Sequence, residues 1–237
     1  MAANLGQKST VNAGLVLCLD AANPSSASPV NSSRWRDISP SKVLSTLTNS
    51  PTFNFGSYIE FNTGGTTQLY FMKSDYYSKI TFGDNPYSIE LWVNRYDGAY
   101  VMDMRSASDG DQSYLTFASG SSNRLVWRAY GGSTLFGSDS DNPTATDTTY
   151  TGWRHYVISR EGTGSNECKL YYNGSLISTG TDGGTHTTPG TFEIGVRSYD
   201  NSTPFKGRLG LFKIYNEKAL SATEVLQNYN ATKERYK

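Results

Sequence analysis

The sequence predicts an all-β, antiparallel β-sandwich closed by a short C-terminal α-helix, and three observations carry that prediction. Between Gly152 and Ser178 the chain alternates side chains with a period of two and turns at Asn173-Gly174. Short runs rich in Val, Ile, Tyr, Phe and Trp recur along the chain, separated by clusters of Gly, Ser, Asn, Asp and Pro, at the spacing of a sandwich. Helical spacing of apolar residues appears near the end, after Leu220.

Taken in order, residues 1–12 read as an N-terminal arm and 13–237 as one sandwich domain. Met1–Val11 is small and polar without apolar period, so it is expected to be mobile in an isolated monomer. Such an arm is either an idle tail or, extended over roughly 35 Å, a strand donor to a neighbouring subunit. Leu15–Leu19 is a nearly continuous apolar strand, covered on both faces. Asn23–Asn31 is loop, with Trp35 and Ile38 anchoring its exit. Strand patterns follow at Lys42–Leu47, Tyr58–Phe61 and Gln68–Met72, then at Ser88–Asn94, where Ile89, Leu91 and Val93 share one face and Glu90 and Trp92 the other.

Further strands are expected at Tyr100–Met104, Ser113–Phe117 and Arg124–Tyr130, and Gly131–Thr149 reads as exposed loop with one short strand. Trp153, His155 and Val157 share a face of the next strand. Cys168–Tyr172 and Ser175–Thr179 flank Asn173-Gly174, two residues that tolerate the positive φ of a type I′ hairpin turn. Ser221 and Glu224 match a capping box, Leu220 and Val225 a hydrophobic staple, and Ala222, Val225, Leu226 and Tyr229 repeat at helical spacing.

Composition narrows the function classes. Lys+Arg and Asp+Glu both number 21, so no global field draws the chain to nucleic acid or anionic lipid. No apolar run approaches the roughly 20 residues of a membrane span, and the first residues lack signal-peptide character, so folding in a cytoplasm without membrane insertion is expected. Two cysteines, Cys18 and Cys168, make no disulfide framework or metal knuckle; Cys18 reads as a core residue, and a bridge between the two stays open.

Three stretches together carry a family resemblance. Gly152-Trp153-Arg154-His155-Tyr156-Val157-Ile158, Lys169-Leu170-Tyr171-Tyr172-Asn173-Gly174 and Thr191-Phe192-Glu193-Ile194-Gly195 resemble the concanavalin A-like lectin/glucanase superfamily in its laminin-G-like branch. Gly14–Pro24 with Trp35-Arg36-Asp37-Ile38-Ser39, and Phe205–Tyr215 with Ala219–Val225, resemble the opening and close of such domains in tailed-phage virion proteins. The resemblance implies a jelly-roll sandwich and a non-catalytic protein of the virion surface, made in the host cytoplasm. Its partners would be other virion proteins and host-surface glycans. A capsid decoration or cement protein, acting through protein–protein contacts, is the alternative, and a glycan hydrolase is the third reading.

Glucanases of this superfamily carry Glu-x-Asp-x-x-Glu on one strand, and this chain lacks that triplet; Glu90 stands alone and reads as an edge or surface carboxylate. His155 reads as a structural histidine, and His186 lies in a polar loop without a Cys or Ser motif. Solvated turn carboxylates explain Asp109/Asp111 and Asp139/Asp141/Asn142, so neither a metal nor a cofactor is expected. Sugar recognition needs aromatic faces and planar polar groups. Tyr96 and Asp97, Arg128 and Tyr130, and Tyr199, Asp200 and Asn201 offer that mixture, whereas Trp127 shares a face with Leu125 and reads as core.

Overall fold

A computed structural model describes residues 9–27, 34–49, 51–61, 68–71, 76, 78–97, 100–105, 112–117, 125–128, 134–136, 152–184, 186, 190–198 and 202–237. The strands are β1 (Leu15–Asp20), β2 (Ser45–Thr48), β3 (Thr52–Asn54), β4 (Tyr58–Phe61), β5 (Gln68–Phe71), β6 (Tyr87–Asp97), β7 (Tyr100–Arg105) and β8 (Gln112–Phe117). They continue with β9 (Leu125–Arg128), β10 (Thr134–Phe136), β11 (Arg154–Arg160), β12 (Cys168–Tyr172), β13 (Ser175–Gly180), β14 (Thr191–Ile194) and β15 (Lys206–Asn216). Helix α1 (Ala222–Thr232) and a 3₁₀ turn (Lys233–Arg235) end the chain.

These strands form two antiparallel sheets. The first runs β13-β12-β11-β6-β15-β4-β3, with β1 also paired to β15; the second runs β10-β9-β8-β7-β14-β5-β2. Neighbours such as β7 and β8 are hairpin partners, but β6 pairs with β11 and β15, and β14 with β5 and β7, so the chain crosses repeatedly between sheets in jelly-roll fashion. The eleven-residue strand β15 is a hub: one edge lies along β6 and the other is divided between β4 and β1.

Alternation places Ile89, Leu91 and Val93 of β6 and Leu209, Phe212 and Ile214 of β15 in the core between the sheets, against Leu115, Trp127, Phe192 and Ile194. Trp127 is fully buried there, as its alternation requires. The opposite face of the first sheet is apolar too: Leu15, Cys18, Trp92, Val157 and Leu211 form a second cluster with Leu220, Val225 and Tyr236. Burying each large apolar side chain contributes about 1.5–3 kcal/mol, so the helix is held mainly by this cluster and not by its own propensity.

The capping box is present as the sequence predicts: Ser221 Oγ accepts from Glu224 N, and Ser221 N donates to the Glu224 carboxylate. The buried stripe of α1 is Val225, Asn228 and Thr232. This corrects the expected apolar stripe, since Ala222 and Leu226 are exposed; the helix rests on polar as well as apolar side chains of the sheet. The hairpin turn holds Asn173 at φ 48° and Gly174 at φ 84°. Strand β3 goes unpredicted from sequence, and β2 begins three residues later than the expected Lys42 start. Both thiols are free; Cys18 faces the helix side and Cys168 the inter-sheet core. Among the described residues no helix is long and apolar enough to cross a membrane.

The arm differs from expectation where it is described. Val11 N donates to Asn228 Oδ1 at 2.8 Å and Gln227 Nε2 donates to Ser9 O at 2.8 Å, so residues 9–11 lie along α1.

Candidate functional site

On the outer face of the first sheet, away from the core, register aligns Glu60 of β4, Arg208 of β15 and Asn94 of β6 in one row. Period-two alternation adds Tyr58, two residues before Glu60, and Tyr96, two after Asn94. The Arg208 guanidinium carbon lies 4.4 Å from the Tyr58 ring centre and 5.1 Å from that of Tyr96, a cation held between two aromatic rings. Arg208 Nε stands 3.6 Å from Glu60 Oε1, and both side chains keep partial solvent access. Burial and then the neighbouring Glu60 carboxylate, to which its hydroxyl is bonded, push the Tyr96 phenol up to about 12, so it remains a donor. Trp153 extends the surface, its ring 5.9 Å from that of Tyr58.

The structure separates the residues selected from sequence. Tyr96 belongs to this row, and Asp97 ends the same strand opposite Lys206. Arg128 does not join them: it follows the inward-facing Trp127 and so points from the outer face of the second sheet, where its guanidinium donates to Tyr114 Oη at 3.2 Å. The two residues therefore occupy opposite sides of the sandwich. Tyr130, Tyr199, Asp200 and Asn201 lie outside the described residues, as do both Asp-rich loops. Sequence reasoning missed Tyr58, Glu60, Asn94 and Arg208. Alternation alone puts Tyr58 beside Glu60, but the pairing of β4 with β15, far apart in the chain, is what creates the row.

Three buried polar clusters carry the remaining chemistry. The expectation of a surface carboxylate at Glu90 is corrected: the side chain is fully buried, because α1 covers that face. His155 Nε2 lies 3.1 Å from Oε1, and Tyr215 Oη and Asn228 Nδ2 donate to Oε2 at 2.9 and 2.7 Å. Burial would raise this carboxyl, but Lys213 and the bonds from His155 and Tyr215 outweigh it and bring it down to about 2. It is the ionised centre of a brace between sheet and helix.

His186, which the sequence places in a polar loop, is likewise buried. Its Nε2 lies 2.8 Å from Asp182 Oδ2 and its Nδ1 2.9 Å from Ser113 Oγ, in the order of a hydrolase triad. Tyr87 Oη also donates to Asp182, and Arg160 Nη1 and Nη2 donate to the carbonyls of Gly83 and Gly184. Ser113 is 4% exposed, and the imidazole stacks on Trp127 between the sheets, so no substrate reaches the hydroxyl. The cluster is a satisfied core brace.

The third cluster is a carboxylate pair. Asp103 of β7 and Glu193 of β14 stand directly opposite one another across the second sheet. Ser198 N and Oγ donate to Asp103 Oδ2 at 2.7 and 2.9 Å. Burial, then the Asp103 charge, push Glu193 up to about 7. Among the described residues no group of three or more His, Cys, Asp and Glu side chains is placed to hold a metal ion.

Sheet order, the two-sided first sheet and the exposed aromatic row define a lectin-like jelly-roll domain. The chain belongs to the concanavalin A-like lectin/glucanases superfamily, whose laminin-G-type family model matches residues 53–226. No curated protein matches the sequence. Among solved structures, the binding domain of Paraclostridial Mosquitocidal Protein 1 is similar over 92% of this chain and 52% of that one, with TM-score 0.64 and 19% identity. The receptor-binding domain of botulinum neurotoxin D is similar over 93% and 53%, with TM-score 0.64 and 14% identity. A botulinum neurotoxin type C structure, whose cell entry depends on interaction with two ganglioside molecules, is similar over 92% and 51%, with TM-score 0.59 and 16% identity. The chain thus spans about half the length of these structures, and at such identities the likeness is one of fold.

Proposed function

We propose that this protein is a non-catalytic glycan-binding domain of a phage virion surface, displayed toward host-surface sugars and attached through other virion proteins. One observation carries the binding reading: two partly exposed tyrosine rings flank an arginine, with a carboxylate and an amide in the same row of a rigid sheet. Aromatic rings suit the apolar face of a pyranose, and planar polar groups suit its hydroxyls. The binding functions of proteins that share this fold support the class of ligand. The virion setting is supported by the opening and closing sequence signatures, Gly14–Pro24 and Phe205–Tyr215. The buried positions of Glu90 and of the Ser113–His186–Asp182 cluster support a non-catalytic reading.

A glycan array tests the proposal. Wild-type protein is expected to select a subset of glycans, and Tyr58→Ala, Tyr96→Ala and Arg208→Ala are each expected to weaken binding about tenfold or more, as anchors of a small interface do. The unfolding temperature should stay nearly unchanged, because exposed ion pairs contribute at most about 1 kcal/mol. Tyr130→Ala and Tyr199→Ala belong on the same array, as the sequence-derived alternatives. Incubation with β-1,3- and β-1,4-glucans should release no reducing ends. Absence of any glycan hit at about millimolar ligand would sink the reading and leave the decoration role.

A further inference from the structure

A cavity of about 410 Å³ opens elsewhere on the outer face of the first sheet, between residues 9–12, β1, β15 and the end of α1. Its volume lies within the roughly 300–1,000 Å³ range of small-molecule sites. Tyr236 stands between it and the tyrosine–arginine row: its ring contacts Trp153 on one side, and its hydroxyl accepts from Arg235 Nη2 on the other.

Lys213 and Arg235 both line the cavity. The Lys213 side chain is 3% exposed, and its Nζ makes no hydrogen bond among the described residues. Its nearest carboxylate oxygen, Glu90 Oε2, is 3.6 Å away and already accepts from Tyr215 and Asn228. An ammonium carries three donors, and burying them without acceptors is costly. Arg235 Nη1 donates to Asp20 Oδ2 at 2.9 Å, which leaves further N–H groups of its fork for a second acceptor. Among the described lining residues Asp20 is the one carboxylate, paired with Arg235, and the buried Glu90 lies behind Lys213, so each cation has one carboxylate neighbour and N–H donors to spare. Leu15 and Leu211 supply an apolar wall, and Thr10 and Asn12 line the side formed by the N-terminal segment.

We propose that this cavity binds a small carboxylated, hydroxyl-bearing ligand of the uronic-acid class, with its carboxylate on Lys213 and Arg235. The apolar wall takes the ring, and Thr10 and Asn12 meet the hydroxyls. The site is independent of the tyrosine–arginine row, and either stands if the other fails.

Isothermal titration of the full chain with D-glucuronate and D-glucose tests it. Glucuronate is expected to bind saturably at one site, at least about tenfold more tightly than glucose, and more weakly as salt rises. Lys213→Met should lower glucuronate affinity about tenfold or more, and Arg235→Gln several-fold. Because Lys213→Met leaves Glu90 buried with one counter-charge fewer, Arg235→Gln, at a partly exposed side chain, is the variant that keeps the fold. Tyr58→Ala should leave the titration unchanged. The proposal is overturned by no glucuronate heat at about 10 mM, by equal affinity for glucose, by full affinity in Arg235→Gln, or by loss of binding in Tyr58→Ala.

Discussion

Glu193 shows how one side chain ties the stability of this sandwich to pH. Its carboxyl is pushed up to about 7 by burial and by Asp103 on the neighbouring strand. A carboxyl raised above its unfolded value, about 4.5, binds a proton more readily in the folded chain. Its contribution is therefore complete below the unfolded value and is lost as pH rises through about 7. Above that, folding confines two like charges on adjacent strands. Glu193→Gln is expected to match wild type near pH 4 and to exceed it at pH 8, by on the order of 2 kcal/mol, which is a rise of several degrees in Tm. Thermal melts at both pH values check this, and equal Tm for variant and wild type at pH 8 would contradict it. Glu90 contrasts with Glu193: fully buried, it receives hydrogen bonds from Tyr215 and Asn228 and lies beside Lys213 and His155, and it stays ionised. Burial is common to both carboxylates, and the partners decide their charge.

At the scale of elements, α1 and its 3₁₀ extension dock where β15 offers Gly210. A Cβ built there lies 2.7 Å from Tyr236 Cζ, and the Tyr236 ring stacks on Trp92 with centres 4.6 Å apart. Alanine has the better strand propensity, so a favourable effect would be expected on an open face; here the ring decides the sign. Gly210→Ala is expected to destabilise by about 1–3 kcal/mol through overpacking. In a Tyr236→Ala background most of that cost should vanish, and a full cost there, read from denaturant melts, would remove the ring as its cause. The same region shows what was legible in the sequence. Ser221 and Glu224 announce the helix because a capping box is local, and Asn173-Gly174 announces the hairpin because turn geometry constrains two adjacent residues. The polar half of the helix interface was hidden: Asn228 and Thr232 look like solvent positions until Glu90 and Trp92 are placed beneath them. Glu90 in turn looked exposed, since β6 alternates apolar and polar side chains and nothing local says that the polar side is covered. The row of Tyr58, Glu60, Arg208 and Asn94 was hidden for a related reason, for it depends on a register between strands about 150 residues apart.

At the scale of the molecule, the first sheet is covered on one side by the second sheet and over part of the other by α1, and residues 9–11 secure that outer cover. Val11 N donates to Asn228 Oδ1, and Val11 packs against the helix-side cluster. From composition alone the arm is expected to be mobile. The contacts reverse that expectation. Deletion of residues 2–11 strips the partner from Asn228 Oδ1, an acceptor on a fully buried side chain, at a cost of about 1–3 kcal/mol. It also removes Ser9 and Thr10 from the wall of the Lys213 cavity. The truncated chain is therefore expected to keep its β-rich circular dichroism, to melt several degrees lower than the full chain, and to lose glucuronate affinity together with that stability. Replacing Asn228 by Asp separates the two effects: the carboxylate accepts the Val11 bond but cannot donate to Glu90, so it destabilises through charge repulsion while the cavity wall stays in place. An unchanged melting temperature in the deletion would show that the Ser9–Val11 contacts carry no weight, and would return the segment to the role of a strand free to reach a neighbour.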